Sequence, residues 1–282
     1  VITSRLALRP MTRIAVIGGG RIGEALTAGL LESGRMTKDL VVVETHRERA
    51  DVIAGRFGIR VTDDVADGVV GADLLVVAVK PRDVDSVLTA LSKAELSGDR
   101  DQILVSLAAG TTTARLEGKL PAGFPVVRVM PNTPMLVGQG MSVIAPGRYA
   151  RAEHLDLVTD VLAAVGKVVT VAENQMDAVT AVSGSGPAYF FLVVEAMVEA
   201  GVGLGLARDV ATELVVQTMI GSAALLDSSD QTAAELRVAV TSPAGTTAAA
   251  MRELERGGLR SMFLEGMHAA KRRSAEQGSS VE

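Results

Sequence analysis

Gly18-Gly19-Gly20-Arg21-Ile22-Gly23 is the first stretch of this sequence able to do chemistry. It directly follows the apolar run Arg13–Ile17. It opens a helical stripe of Ile22, Ala25, Leu26, Gly29 and Leu30, which Gly34 closes. A glycine turn between strand and helix is the setting of a dinucleotide fingerprint. Gly18 permits the tight turn, Gly20 lets backbone approach a pyrophosphate, and Gly23 lets helix pack on strand. Free N–H groups at the helix start favour phosphate. Without that chemistry the stretch reads as a glycine-rich structural turn.

Three more segments carry candidates. The run Leu40–Val43 ends in Glu44-Thr45-His46-Arg47-Glu48-Arg49. Glu44 lies about 20 residues past the glycines, where an acid binds a free ribose 2′-hydroxyl and selects NAD. Arg47 and Arg49 instead suit a 2′-phosphate and select NADP. As a plain surface they would pair with Glu48 and Asp51. Both cofactors stay open. Ala78-Val79-Lys80-Pro81 and Ala108-Ala109-Gly110 end two further strand runs. Small residues there leave room for the nicotinamide half of a cofactor. Lys80 is either an acid or a strand exit with its charge in solvent. Asn132, between Pro131 and Pro134, either faces the crevice or holds its own turn. Far downstream, Ser242-Pro243-Ala244-Gly245-Thr246-Thr247 precedes a helix ending near Gly257 and Gly258. Hydroxyls beside a helix N-terminus make an anion site for a small carboxylate. An ordinary N-cap needs only one threonine.

The elements that must position these residues follow from periodicity. Further strand candidates are Ile59–Thr62, Leu74–Val79, Ile103–Leu107, Val126–Met130 and Val168–Val171. Helical stretches such as Val84–Leu91 and Ala150–Val165 lie between them. Near-continuous Val, Leu and Ile predict a parallel sheet covered on both faces. From Asn174 the pattern turns helical. Ser183–Tyr189 opens a helix to about Ala200, with Ser185 or Gly186 as cap and Pro187 in the first turn. That helix and Arg208–Leu226 are apolar nearly all round, which predicts central burial or a subunit interface. The expected fold is an α/β Rossmann-type dinucleotide-binding domain over 11–173, then an all-α dimerisation and substrate domain over 174–282. Residues 1–10 read as a leader or tag-like segment.

Composition excludes several classes. The 282 residues carry 28 Lys+Arg against 33 Asp+Glu, a net charge of -5, with no basic block. That argues against a nucleic-acid surface, and 2% aromatics without Trp leave little for base stacking. No cysteine is present, so disulfides, thiolate metal sites and cysteine nucleophiles fall away. His46, His154 and His268 are far apart in sequence, so no metal is expected. Val129–Gly147 is uncharged but broken by Pro131, Pro134 and Pro146. Ala178–Val194 is interrupted by Gly184, Gly186 and Pro187. Both read as turns and core elements rather than membrane spans. The expected compartment is the cytoplasm.

Ile17–Gly23, Ala78–Pro81, Ala108–Gly110, Arg128–Pro134, Asp177–Tyr189 and Thr241–Thr247 together resemble the delta-1-pyrroline-5-carboxylate reductase family. The match runs from Thr12 to about Ala275. Ser183–Tyr189 combined with Ser242–Thr247 is the specific part. The resemblance implies NAD(P)H-dependent reduction of a cyclic imine to L-proline. It also implies a helical domain interlocked with a second subunit, in dimers that often form a ring. It places Ile17–Ile22 on the pyrophosphate, Thr45 by the adenosine ribose, and Ala78–Pro81 with Ala108–Gly110 on the ribose and nicotinamide. Ser242, Gly245, Thr246 and Thr247 bind substrate, with Thr247 nearest the ring nitrogen. Two positions depart from the family pattern. Ala244 stands where glycine is commoner, and Glu44 where a small or hydroxyl residue is frequent. A beta-hydroxyacid dehydrogenase of similar plan would need a lysine acid, yet Val168–Ala270 contains no lysine. A non-catalytic dinucleotide sensor or scaffold leaves the Ser242–Thr247 loop unexplained.

Overall fold

The computed structural model describes residues 12–94 and 102–279. The expected leader, residues 1–10, lies outside the described residues. Eight strands form one sheet: β1 (Ile14–Ile17), β2 (Leu40–Val43), β3 (Arg60–Thr62), β4 (Leu74–Val77), β5 (Ile103–Ser106), β6 (Val126–Met130), β7 (Gly140–Pro146) and β8 (Gly166–Thr170). Their order is β3-β2-β1-β4-β5-β6-β7-β8. All pairs are parallel except β6 with β7. The apolar runs of β1, β4 and β5 are buried along their whole length, as expected for strands covered on both faces.

Helices α1 (Arg21–Glu32), α2 (Arg47–Phe57), α3 (Val65–Val69), α4 (Val84–Lys93), α5 (Thr113–Glu117) and α6 (Ala152–Leu162) link these strands. Gly58 ends α2 in the left-handed region, at φ 63, where a side chain would be strained. Two core clusters result, one on each side of the sheet. Leu26, Leu30, Ile53 and Val158 belong to one, Val84, Leu88, Leu91 and Leu116 to the other.

The remaining helices are α7 (Met176–Val179), α8 (Gly186–Gly203), α9 (Arg208–Ser228), α10 (Ala233–Ala239), α11 (Thr246–Arg256) and α12 (Leu259–Ser279). A π-helical turn, Thr180–Gly184, joins α7 to α8. The chain divides into two compact units. One comprises residues up to Gly184 together with the chain from Lys271, and the other is Ser185–Ala270.

The expected division after residue 173 therefore falls inside the first unit. Its cause is polar and apolar anchoring. Buried Arg128 on β6 donates to Glu173 at 2.7 Å. Met176 is buried against Val143 and Ala145 of β7. Buried Ser274 of α12 donates to the Asp177 carboxylate at 2.7 Å.

Val129–Gly147 contains β7, whose Val143, Ile144 and Ala145 are buried, and the turn before it. Pro131 and Pro134 precede that strand and Pro146 is its last residue, so none breaks it. Gly184, Gly186 and Pro187 do not interrupt the helical run Glu173–Gly203, because a π turn absorbs the glycines and proline suits a first turn. That run and Arg208–Ser228 are the two helices among the described residues long and apolar enough to cross a membrane. Neither is a core helix within this chain: Phe190 and Phe191 are each 63% exposed.

Candidate active site

The strands of the parallel part end level with one another. Ile17 pairs with Val43 on one side and with Val77 on the other, and Val77 pairs with Ser106. One carboxyl edge therefore carries Gly18, Glu44, Ala78 and Leu107. Backbone bonds tie it together: the Gly18 N–H donates to Val43, that of Ala78 to Ile17, and that of Leu107 to Val77. The order around β1 reverses winding between β1 and β4, the switch point where doubly wound sheets bind ligands.

The glycine turn sits at that point, and each glycine has its own reason. Gly18 has φ 111, and a Cβ there would stand 2.9 Å from the Ala78 carbonyl group. A Cβ on Gly23 would overlap the Gly18 carbonyl oxygen. Gly20 differs, since a Cβ there would meet nothing within 4 Å. Gly20 thus faces open space at the N-terminus of α1, which no side chain caps. Uncapped N–H groups beside an open glycine fit a pyrophosphate. Arg21 is exposed and Ile22 packs against the core.

The other expected cofactor residues reach the same edge. Ala78 and Val79 are half-buried, Lys80 and Pro81 exposed. Ala108 is buried, Ala109 exposed, and Gly110 has φ 74. The end of α12 passes Gly110, where a Cβ would lie 3.8 Å from Gln277. Asn132 also lies at this edge, but its amide is engaged. It accepts from the Met141 N–H at 2.8 Å and donates to the Ser183 carbonyl at 3.2 Å. Its two observed bonds hold β7 and the π turn in place. Gly184 in that turn lies so close to Met130 that a Cβ would overlap its side chain.

Glu44 is 9% exposed and points inward. Its Oε2 accepts from the Gly19 N–H at 3.0 Å, and its Oε1 from the His46 N–H at 2.8 Å and His46 Nδ1 at 3.0 Å. Burial alone would raise its pKa. The hydrogen bonds from His46 and Gly19, with the attraction of the His46 ring, outweigh burial and hold the carboxyl below the usual glutamate value. Thr45 and Arg47 are exposed beside it. Arg49 turns the opposite way from a solvent-facing arginine. Its Nε donates to the Gly19 carbonyl at 2.7 Å and its guanidinium pairs with Glu24. The sequence raises Arg49 as a phosphate partner or as a surface charge pairing with Glu48 and Asp51. Its place five residues after the acid, on the first turn of α2, is the signal for this inward contact.

In the second unit, Ser242 to Gly245 form a turn in which the Gly245 N–H donates to the Ser242 carbonyl at 3.1 Å. Ala244 has φ 57, the one non-glycine positive φ among the described residues. Gly245 caps α11 with extended backbone, and no side chain caps that end. The hydroxyls of Ser242, Thr246 and Thr247 have no hydrogen-bond partner among the described residues. An ordinary threonine cap is therefore not what this sequence builds. Ser242 and Thr246 are exposed, and the N–H groups at the start of α11 carry no side-chain cap. No group of three metal-ligating side chains occurs among the described residues.

A glycine turn at the switch point of a doubly wound sheet, with small residues on the neighbouring strand ends, defines a Rossmann-type dinucleotide oxidoreductase. Residues 13–110 match the family described as "NADP oxidoreductase coenzyme F420-dependent", and residues 173–277 match "Pyrroline-5-carboxylate reductase dimerisation". A pyrroline-5-carboxylate reductase of Mycobacterium leprae is 54% identical over 288 residues, covering 95% of this chain and 98% of that protein. A solved pyrroline-5-carboxylate reductase of Coxiella burnetii superposes with a TM-score of 0.90 at 34% identity, covering 95% of this chain and 98% of its own. The Plasmodium falciparum pyrroline carboxylate reductase, solved with NADP bound, gives 0.83 at 29% identity with 95% and 98% coverage. The chain belongs to the pyrroline-5-carboxylate reductase family.

Proposed function

We propose that this protein reduces L-1-pyrroline-5-carboxylate to L-proline, the last step of proline biosynthesis, with NADPH or NADH as donor. The observation that carries the reading is the Ser242–Thr247 turn, with unpartnered hydroxyls around an uncapped helix N-terminus. That chemistry suits a small carboxylate beside a nitrogen heterocycle.

The roles follow from chemistry. Ile17 to Gly23 hold the pyrophosphate, Thr45 and Arg47 meet the adenosine ribose, and Ala78–Pro81 with Ala108–Gly110 line the ribose and nicotinamide. Bound there, the reduced nicotinamide supplies the hydride that the C=N carbon accepts. The N–H groups of Gly245 to Thr247, with Ser242 and Thr246, hold the substrate carboxylate. The Thr247 hydroxyl hydrogen-bonds the ring nitrogen. A cyclic imine arrives already protonated, so the nitrogen keeps its own proton as the carbon gains hydride. No strong protein acid is then required, which agrees with a chain from residue 174 onward whose only histidine is His268 on α12. The chain's work is orientation and charge stabilisation.

Two copies pair through the exposed apolar faces of α8 and α9, and such dimers assemble further into a ring in the cytoplasm. This reading assigns those faces to a second copy rather than to a membrane, in keeping with the matched dimerisation family.

The test is loss of reduced-nicotinamide absorbance with L-1-pyrroline-5-carboxylate, run with NADPH and NADH in parallel and with proline confirmed as product. Proline-forming oxidation is expected. Cofactor binding without turnover would overturn the reading in favour of a sensor.

A further inference from the structure

The cofactor edge contains a device that the glycine fingerprint does not require. One peptide unit flanks each side of Gly19, and both are held from outside the turn. Its N–H donates to buried Glu44 at 3.0 Å, and its carbonyl accepts from Arg49 Nε at 2.7 Å. Neither holder is loose. Glu44 Oε1 takes two further donors from His46, and the Arg49 guanidinium is fixed by Glu24, whose other oxygen takes Arg56 at 2.6 Å. Gly19 itself is tightly enclosed. A Cβ there would overlap the end of Ile53 and stand 3.0 Å from Glu44 Oε2.

This arrangement bears on what Glu44 is for. An acid at the end of the second strand grips a ribose by offering its carboxylate to the sugar hydroxyls. A carboxylate has about four acceptor positions. Three are taken by N–H donors of this chain, and Oε1 is filled. A grip using both oxygens on two hydroxyls is therefore not on offer. Arg49 is held at two points, its Nε on the Gly19 carbonyl and its guanidinium on Glu24, which ties it to the turn, with three of its five N–H donors outside those bonds. Arg47 is exposed and makes no hydrogen bond or ion pair among the described residues.

We propose that Glu44 and Arg49 are positioning residues, which fix the Gly19 peptides in their pyrophosphate-binding shape before the cofactor arrives, and that discrimination at the ribose 2′ position belongs to Arg47. The inference rests on the dinucleotide-binding part of the function proposed above. A turn set in advance loses less conformational freedom on binding, so it strengthens every ligand that carries the shared pyrophosphate. A ribose reader instead changes the ratio between ligands that differ at the 2′ position.

That difference makes the proposal testable without turnover. Dissociation constants of NADPH and NADH are measured by calorimetry for wild type, Glu44→Gln, Arg49→Ala and Arg47→Ala. Exchange of the Gly19 amide hydrogen is followed in cofactor-free protein. The glutamine amide in E44Q turns a donor toward Gly19 or His46, both of which are donors themselves. Both constants should rise about tenfold in E44Q, the scale of a lost bond to a charged group. Their ratio should stay within about twofold of wild type, and Gly19 exchange should accelerate. R49A, which keeps the buried carboxylate, should show the same parallel loss. R47A should weaken NADPH about tenfold and leave NADH unchanged. A tenfold change in the NADPH-to-NADH ratio in E44Q would make Glu44 a ribose reader and overturn the proposal. Unchanged constants with unchanged exchange in both E44Q and R49A would overturn it too. A wild-type protein that binds neither nucleotide would instead sink the functional reading beneath it.

Discussion

The first unit buries its sheet's central strands, and the second displays the apolar residues of its longest helices. In β4 and β5 every Leu, Val and Ile is at or near full burial. In α8, Phe190, Phe191, Leu192 and Met197 are exposed, and only Gly186 and Val198 are buried. In α9 only Ala211 is buried, while Val210, Leu214, Ile220, Leu225 and Leu226 are exposed. Composition does not separate the two, since both are rich in aliphatic residues. Geometry does. Strands of a doubly wound sheet are covered on both faces by helices of the same chain. Helices α8 and α9 pack on each other closely, with a Cβ on Gly201 set to lie 3.1 Å from the Ala211 Cβ. A helix pair covers only one stripe of each member, and an all-round apolar surface needs more neighbours than this unit supplies. The first unit is a finished core. The second leaves open an apolar surface that the pairing proposed above would cover.

The largest expected effect comes from testing that incompleteness directly. Phe191→Glu puts a charge on a helix face proposed to be buried between two copies. Losing a buried phenylalanine costs about 1.5–3 kcal/mol, and an unpaired buried carboxylate costs more. The dimer constant should weaken at least about 100-fold, leaving a monomer by sedimentation velocity. NADPH binding, which depends on the finished unit, should persist. Unaltered mass would show that this face is not the interface, and loss of cofactor binding would show that the first unit is not self-sufficient.

A smaller effect is expected at the substrate turn. Thr247→Ala removes the hydroxyl proposed to meet the charged ring nitrogen. A hydrogen bond to a charged group contributes about 1.5–3 kcal/mol. The kcat/KM for L-1-pyrroline-5-carboxylate should therefore fall about 10–100-fold. The NADPH dissociation constant should stay within twofold of wild type, roughly the scatter of one such titration. Full turnover with unaltered substrate affinity would remove Thr247 from the site.

The same contrast governs what could be read from the amino-acid order. Strands β1, β2 and β4 stand out as short aliphatic runs bounded by turn residues, because burial on both faces leaves no polar residue inside them; β6 stands out too, with Arg128 its one polar residue. Strand β7 does not stand out. Its flanking prolines look like breakers, and only the antiparallel pairing of Val127 with Pro146 shows that the last one closes a strand. The site is legible to the same depth. Gly18 and Gly23 advertise their roles because only glycine satisfies their backbone and packing demands, while Gly20 is marked by its place in the spacing and the open space it faces. Glu44 and Asn132 do not, since an acid or amide at a strand end suits a ligand and a backbone equally well. Which it meets depends on rotamers and on distant partners, Gly19 for one and Ser183 for the other. For α8 and α9 the order of residues shows the apolar surface but not whether its cover is intramolecular.

The smallest expected effect is at Ala244, and its sign is informative. A non-glycine residue in the left-handed region costs about 1–2 kcal/mol, while glycine gives up about 0.5–1 kcal/mol more chain entropy on folding. Ala244→Gly should therefore stabilise the protein by about 0–1.5 kcal/mol, read as a rise of up to about 6 °C in Tm. The turn that Ala244 strains also presents Gly245 and the start of α11, whose N–H groups are proposed to hold the carboxylate. Alanine narrows the conformations open to that turn before substrate arrives, so glycine should raise the substrate KM by up to about threefold. The NADPH constant should not move. A higher Tm with a higher KM would mean that this chain keeps a strained alanine for the shape it imposes on its substrate turn. A higher Tm with an unchanged KM would mean that the turn is held by its surroundings, and that the strain at Ala244 serves nothing in binding.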